Sequence, residues 1–349
     1  MRILHSADWH LDAPFAGRTP EEAVWLRREL LAVPGKVADL CIAQRCDLVL
    51  LSGDLFDGAC SRESCRVLYD ALERMAVPVF VAPGNHDCIG LNSPWVRETW
   101  PDNVHIFYKE RMESVVIQEL DCRIYGAGYQ SMDCPGLLAG FHAEGEERFH
   151  IGVLHADPTQ AATPYCPLTT EQIKESGLAY LALGHIHKTG SFKVGQTLCA
   201  WPGCPMGRGY DETGEKGVLI VELEGEAKTS FVTLNTPRFY DLQCEATALA
   251  QMLPPAGSND FYRITLTGYA GDQICVPDGY PHLELRDRTV PETDLWGTAG
   301  RIPWKVSTLV CCGRLWKRRT KGRKEKFCWL PGSLARSWMV RRWRFRENL

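Results

Sequence analysis

Residues 3–10, ILHSADWH, form a short apolar run that breaks into a polar loop carrying Asp8 and His10. The same form returns four times: LVLLSGD at 48–54, VFVAPGNHD at 79–87, IGVLH at 151–155 and LALGHIH at 181–187. Such nearly continuous apolar runs read as strands buried on both faces. Helical spacing over 20–45 (broken near Pro34-Gly35), 62–75 and 169–176 places helices between them. Alternating strands and helices predict an α/β fold of two packed β-sheets with helices outside. Loops at strand ends are where a rigid sheet fixes functional side chains. Glycines 53, 84 and 184 let the backbone turn sharply there.

Further strands are expected at 105–107, 115–120 and 123–126, as a second, mostly antiparallel region. A run of hairpins is expected over 192–234. The character changes near 236, where Phe239–Gln243, a short helix at 246–252 and Phe261–Leu266 predict a small α+β accessory domain. The expected division is a catalytic domain at 1–235, an accessory domain at 236–300 and an atypical tail at 301–349.

Charge sets the tail apart. Residues 301–349 hold 15 Lys+Arg against Glu325 and Glu347, a net of +13 in a chain of net −4, so residues 1–300 carry −17. Five of the eleven tryptophans also lie beyond residue 300. The tail reads as the product of a frameshift near residue 300, because another frame with a permissible codon choice gives a Leu- and Glu-rich helical sequence. A genuine basic DNA-binding tail is the alternative. The fifteen cysteines are scattered without a Cys-x-x-Cys pair, which argues against a zinc cage and for reduced, inert thiols. No apolar run is long enough to span a bilayer, and no secretory leader is visible, so a cytoplasmic protein without membrane attachment is expected.

Five of the ten histidines, His10, His86, His155, His185 and His187, fall at the ends of these runs, alongside Asp8, Asp54 and Asn85. Carboxylate, imidazole and amide oxygen together suit borderline divalent cations such as Mn²⁺, Fe²⁺ or Zn²⁺. A bridging carboxylate can hold two cations about 3.5–4 Å apart, the arrangement that clamps a phosphoester and activates water. Asp57, three residues past Asp54, is expected to orient His86 or shape the metal site; a surface aspartate is the alternative. Arg208, in GRGYDETGEKG at 207–217, is a candidate for a phosphate contact and Tyr210 for stacking on a base, with an inert hairpin loop as the alternative. His5, within the first strand, reads as a core residue; His105, His142, His150 and His282 match no motif.

DxH, GD, GNHD, H and GHxH in this order resemble the signature of calcineurin-like metallophosphoesterases, over residues 1–235. HSADWHLDAPF at 5–15, GDLFD at 53–57 and WPGCPMGRGYDETGEKGV at 201–218 look like the SbcD/YhaO-type bacterial DNA repair exonuclease branch. The resemblance continues through ETDLWGTAG at 292–300. It implies a sandwich of two mixed β-sheets flanked by helices. It also implies one metal on Asp8, His10 and His187, a second on Asn85, His155 and His185, and Asp54 bridging them. His86 would not be a ligand and would protonate the leaving oxygen. The implied cofactor is a pair of divalent ions, Mn²⁺ first, with Fe²⁺, Zn²⁺ or Mg²⁺ as alternatives. The implied activity is exonucleolytic hydrolysis of DNA, by a homodimer working with an SbcC-like coiled-coil ATPase. The rival readings are a phosphoesterase of small diesters or monoesters, such as cyclic nucleotides, and a non-catalytic scaffold.

Overall fold

The structure is a computed structural model that describes residues 1–58, 60–160, 162–270 and 278–291. The chain divides into two compact units, Met1–Glu292 and Thr293–Leu349. The second unit, and with it the expected tail and frameshift, lies outside the described residues.

In chain order the elements are β1 (Arg2–Ser6), α1 (Pro20–Leu31), α2 (Val33–Ala43), β2 (Leu48–Leu51), α3 (Arg62–Met75), β3 (Val79–Val81), α4 (Pro94–Arg97) and β4 (Val104–Ile106). Then come β5 (Glu113–Ile117), β6 (Cys122–Gly126), β7 (Phe149–His155), α5 (Thr170–Glu175), β8 (Tyr180–Gly184), β9 (Gly190–Val194), β10 (Thr197–Trp201), β11 (Gly217–Leu223) and β12 (Ala227–Thr233). The last are β13 (Phe239–Glu245), α6 (Leu249–Met252), β14 (Phe261–Thr267), β15 (Tyr269–Ala270), β16 (Leu283–Asp287) and β17 (Val290–Pro291).

Two six-stranded mixed sheets, ordered β12-β11-β1-β2-β3-β4 and β5-β6-β7-β8-β10-β9, carry the site. The strands of the first sheet alternate cleanly between two cores. Ile3, Leu48, Leu50 and Phe80 face the second sheet's Ile124, Ile151, Val153 and Ala182. Leu4, Val49, Leu51, Val79 and Val81 face Leu26, Val37, Leu68 and Leu72 of the helices. Both faces are therefore buried, which is why these strands read as unbroken apolar runs. On the far side of the second sheet, Leu154, Leu181 and Leu183 pack with Ile173 of α5.

Local caps place the helices. Thr19 closes a capping box with Glu22 and precedes Pro20 at the start of α1. Ser61 caps α3, and the left-handed Ala76 ends it. The break between α1 and α2 falls at Ala32, two residues before Pro34, because the proline sits in the first turn of α2, where its missing N–H costs nothing.

The expected antiparallel second region is corrected by the pairing. β4 joins the first sheet, parallel to β3. In the second sheet β6, β7, β8 and β10 run parallel, and the edge strands β5 and β9 are the antiparallel ones. The expected hairpins exist as β9–β10 and β11–β12, but they extend different sheets. Beyond them, β13, β14 and β16 form a parallel three-stranded sheet with its own apolar cluster of Leu249, Ile264, Leu266 and Leu283. Phe239 and Phe261 of that sheet pack into the helix-side core of the first.

Among the described residues no helix is long and apolar enough to cross a membrane, and every cysteine is a free thiol.

Candidate metal centre and active site

The carboxyl ends of parallel strands β1, β2, β3, β7 and β8 deliver the five motif segments to one place, where open α/β sheets commonly build their sites. The loops after β1 and β2 are zipped together: the Asp8 N–H donates to the Gly53 carbonyl (3.0 Å), His10 to Asp54 (3.0 Å) and Leu11 to Leu55 (2.9 Å). This ladder holds Asp8 (φ 55°), His10 (φ 48°) and Asp54 (φ 52°) in the left-handed region, which such residues rarely occupy. His185 is also left-handed, at φ 84°. Strain of about 1–3 kcal/mol per residue survives where the surroundings over-determine the backbone, and it clusters at functional sites. The glycines allow this crowding. A Cβ on Gly84 would overlap Asp54 Oδ1 and the His155 ring, and one on Gly184 would overlap the Ser52 carbonyl.

Three histidines turn the same edge inward. His155 Nδ1 lies 2.9 Å from the Ser52 carbonyl, His10 Nδ1 3.1 Å from Asp57 Oδ1, and His187 Nδ1 2.6 Å from Glu212 Oε1. Each Nδ1–H donates outward, so each Nε2 faces the interior. There His10 Nε2 and His187 Nε2 stand 3.1 Å apart. His155 Nε2 meets Asn85 Oδ1 at 3.0 Å and Asp54 Oδ2 at 3.3 Å. Nitrogen lone pairs turned on one another and on oxygens are the donor set of a cation site. Fixing Nδ1 on a carboxylate or carbonyl is how proteins orient histidine ligands. The buried Asp8 Oδ2 has no hydrogen-bond partner among the described residues, which fits an oxygen meant for a metal.

Among the described residues, three groups bring their ligand atoms within 4.8 Å of one another: Asp8, His10 and His187; His10, Asp54 and His86; and Asp8, Asp54 and His155. Asp8, His10 and Asp54 each belong to two of the groups and therefore sit between the others. Asn85 reaches the same interior through His155. His185 belongs to none of the three groups; its ring is edge-on to His155 at 5.2 Å and tilted on Tyr165 at 4.6 Å, while its backbone N–H donates to Asp8 Oδ1.

The electrostatics follow from burial against charge. Burial alone would lower His155, but the Asp54 and Asp8 carboxylates hold it at about 9. Burial would raise Asp54, yet the charges of His155, His10 and His86 hold it well below the usual carboxylate range. His10 is pushed down by burial, which outweighs its bond to Asp57. The half-exposed His86 is raised, chiefly by its bond to Asp57 (Nδ1 to Oδ1, 3.0 Å). Asp57 lies low because both His10 and His86 bond to it. One carboxylate thus links His86 to His10.

Two further carboxylates matter that carried no role in the sequence reading. Glu212 is buried, accepts from His187 and Arg208, and is held low by them against its burial. Its only sequence signal is its place four residues past Arg208 in a Gly-rich loop. Asp87 is buried and accepts backbone N–H bonds from Gly84 (2.7 Å), Leu55 (2.8 Å) and Asp54 (3.2 Å), tying the loops after β2 and β3. Burial, reinforced by the Asp54 charge, lifts it to about 6.

Arg208 comes to the rim, 2.8 Å from Glu212 Oε1 and 3.9 Å from Asp57 Oδ1. Tyr210 does not. Its ring meets Phe239 edge-on and already carries the guanidinium groups of Arg263 at 3.7 Å and Arg18 at 4.7 Å, so the expected base stacking is replaced by packing against the third sheet. His5 is a core residue, buried between the Tyr180 hydroxyl and Ser52 Oγ, each 2.8 Å away, and burial takes its pKa down to about 3.

Two mixed sheets thus carry at their carboxyl ends a cluster of carboxylates and histidines that could hold divalent cations. The chain belongs to the calcineurin-like phosphoesterase family, which matches residues 1–189. That family is one of phosphoesterases with a two-metal centre, and the clustered carboxylates and histidines of this chain could hold such ions. It is similar to the "Uncharacterized metallophosphoesterase YhaO" of Bacillus subtilis (strain 168), at 32% identity over 236 residues, covering 64% of this chain and 57% of that one. It is also similar to the SbcD subunit of the SbcCD nuclease of the same organism, at 25% identity over 272 residues, covering 66% of this chain and 68% of that one. Among solved structures, TT1561 of Thermus thermophilus superposes with a TM-score of 0.43 at 14% identity, covering 66% of this chain and 98% of that one. The chain thus spans little more than half the length of the YhaO relative.

Proposed function

We propose that this chain is a DNA phosphodiesterase, an exonuclease that uses two divalent cations, Mn²⁺ foremost. We propose further that it acts as a homodimer with a coiled-coil ATPase partner of the SbcC kind, in the cytoplasm. The observation that carries the chemistry is the convergence of the His10, His155 and His187 Nε2 atoms around Asp54 and Asp8, with every Nδ1 held from outside. Asp8, His10 and His187 are the residues for one cation. Asn85, His155 and His185 are those for the other, with Asp54 between them. Cations held there lower the pKa of water and neutralise phosphate oxygens.

The remaining work falls to the chain. His86 stands at the edge of the cluster, half exposed, with its proton favoured by Asp57. In that state it donates to the oxygen that leaves. Asp57 holds that imidazole in place and, through His10, ties its position to the metal cluster. Arg208 supplies a positive charge at the rim for a phosphate oxygen.

The choice of DNA rests on the relatives named as nuclease subunits and on the flanking segments 5–15 and 201–218. An acidic body gives little non-specific affinity for DNA, which favours a DNA-holding partner.

The test is a substrate panel with Mn²⁺: end-labelled duplex and single-stranded DNA, a chromogenic diester and a monoester, each against Asp54→Ala and His86→Ala. Cleavage of DNA and diester that both substitutions abolish is expected. Hydrolysis of the monoester alone overturns the nuclease reading, and activity surviving Asp54→Ala overturns the two-metal site.

A further inference from the structure

A cavity of about 760 Å³ opens beside His86, between the loop leading into α3 and the loop leading into α4. Its wall carries Arg62 and Arg97, both exposed. Neither guanidinium faces a carboxylate among the described residues. Elsewhere in this acidic body Arg2 is answered by Glu222, Arg74 by Asp39, Arg123 by Glu147 and Arg263 by Asp241 and Glu284. Arg27, Arg28, Arg45 and Arg111 likewise show no ion pair among the described residues, but none of them lines the cavity beside His86. Glu98 is the one exposed carboxylate on the same wall. Leu91, the most exposed large apolar side chain among the described residues (91%), stands at the same cavity. Two unanswered guanidiniums beside an apolar side chain form a surface for an anion joined to a flat organic group.

We infer that this cavity receives the nucleotide on the leaving side of the scissile bond, with Arg62 and Arg97 on its phosphate and Leu91 against its sugar or base. This rests on the phosphodiesterase reading above, because His86 marks the side from which the leaving oxygen departs. The site deepens that reading into a substrate class. A ligand that engages both the metal cluster and these arginines needs a second phosphate beyond the one being cut. A strand has it; a cyclic mononucleotide or a simple aryl diester does not. Binding remote from the reacting bond lowers the barrier only when the substrate spans both positions.

The test uses the full chain with Mn²⁺ and three substrates. They are bis(p-nitrophenyl) phosphate, an end-labelled thymidine oligonucleotide, and the same oligonucleotide with a neutral methylphosphonate at the second linkage from each end. In the native protein, the ratio of kcat/KM for the unmodified to the modified oligonucleotide is expected to be roughly ten to a hundred. In Arg62→Gln/Arg97→Gln it should collapse towards one. The double substitution should also lower the ratio of oligonucleotide to aryl-diester kcat/KM by a similar factor. Because both comparisons are ratios, a general loss of folded protein cancels. If the native protein cleaves the oligonucleotide and the double substitution leaves both ratios unchanged, the cavity assignment is overturned while the nuclease reading stands. If the native protein hydrolyses the aryl diester and leaves every oligonucleotide intact, the nuclease reading falls and the cavity assignment with it.

Discussion

Replacing Glu212 with glutamine removes one charge and almost no volume from a residue that is 8% exposed. The native carboxylate accepts from His187 Nδ1 at 2.6 Å, from the Arg208 backbone N–H at 2.7 Å and from Arg208 Nη2 at 2.8 Å. A hydrogen bond to a charged group contributes about 1.5–3 kcal/mol. Removing one partner of a buried ion pair costs about 3–5 kcal/mol. Glutamine keeps an acceptor oxygen, and Arg208 is partly exposed, so the expected loss in the metal-free protein is about 2–3 kcal/mol. The effect has a pH window. Glu212 is held below its ordinary 4.5, so its contribution is full above that value and declines as pH falls towards its folded pKa. Burial would lower His187, but its bond to Glu212 raises it above its ordinary 6.5, so its contribution is full below that value and declines as pH rises through its folded pKa. The difference between native and substituted protein is therefore largest between pH 4.5 and 6.5 and narrows on both sides. Urea unfolding across this range measures it. Because Glu212 sets the ring that would face the cation, Mn²⁺ affinity measured by calorimetry should also weaken about 10- to 100-fold. A stability change under about 0.5 kcal/mol, typical of an uninvolved surface position, together with unchanged Mn²⁺ affinity, would refute this reasoning.

Three other outcomes are expected. Asp57→Asn removes the carboxylate charge behind the bond that raises His86, so the alkaline limb of kcat/KM against pH should move to lower pH; an unmoved limb and unchanged kcat would end the positioning role. Mn²⁺ at a hundred times its Kd should stabilise the protein by about 2.7 kcal/mol in urea unfolding, and Asp54→Ala should remove most of that gain; equal gains in both proteins would show that the ion binds elsewhere. Gly184→Ala places a methyl group on the Ser52 carbonyl and the His155 ring, and should cost about 1–3 kcal/mol of stability; a neutral effect would mean that these loops yield more readily than their packing implies.

The sequence and the structure agree where the information is local. Each motif segment follows a run such as LVLLS, whose residues pack alternately on the two cores of the sandwich, so an unbroken apolar stretch reports a central strand directly. The same runs say nothing about partners. His105 lies on a strand that reads equally well as the start of the second sheet, yet β4 pairs with β3 and closes the first. Tyr210 and Arg208 are two residues apart in one loop, but Arg208 turns to Glu212 at the rim and Tyr210 into the aromatic packing around Phe239. Asp57 was visible by its spacing from Asp54. That it holds two histidines from different segments was not.

By itself the sequence determined which groups stand at the ends of the buried strands: carboxylates, imidazoles and an amide, a donor set suited to divalent cations, because residue type and strand position are written locally. The tertiary structure alone decided how those groups are aimed. The Nδ1 partners Ser52 and Asp57 come from the segment after β2 and Glu212 from a loop remote from it, and Asp87 ties two loops through backbone N–H groups that leave no trace in residue identity. Orientation depends on contacts between segments remote in sequence, and those exist only once the two sheets have packed.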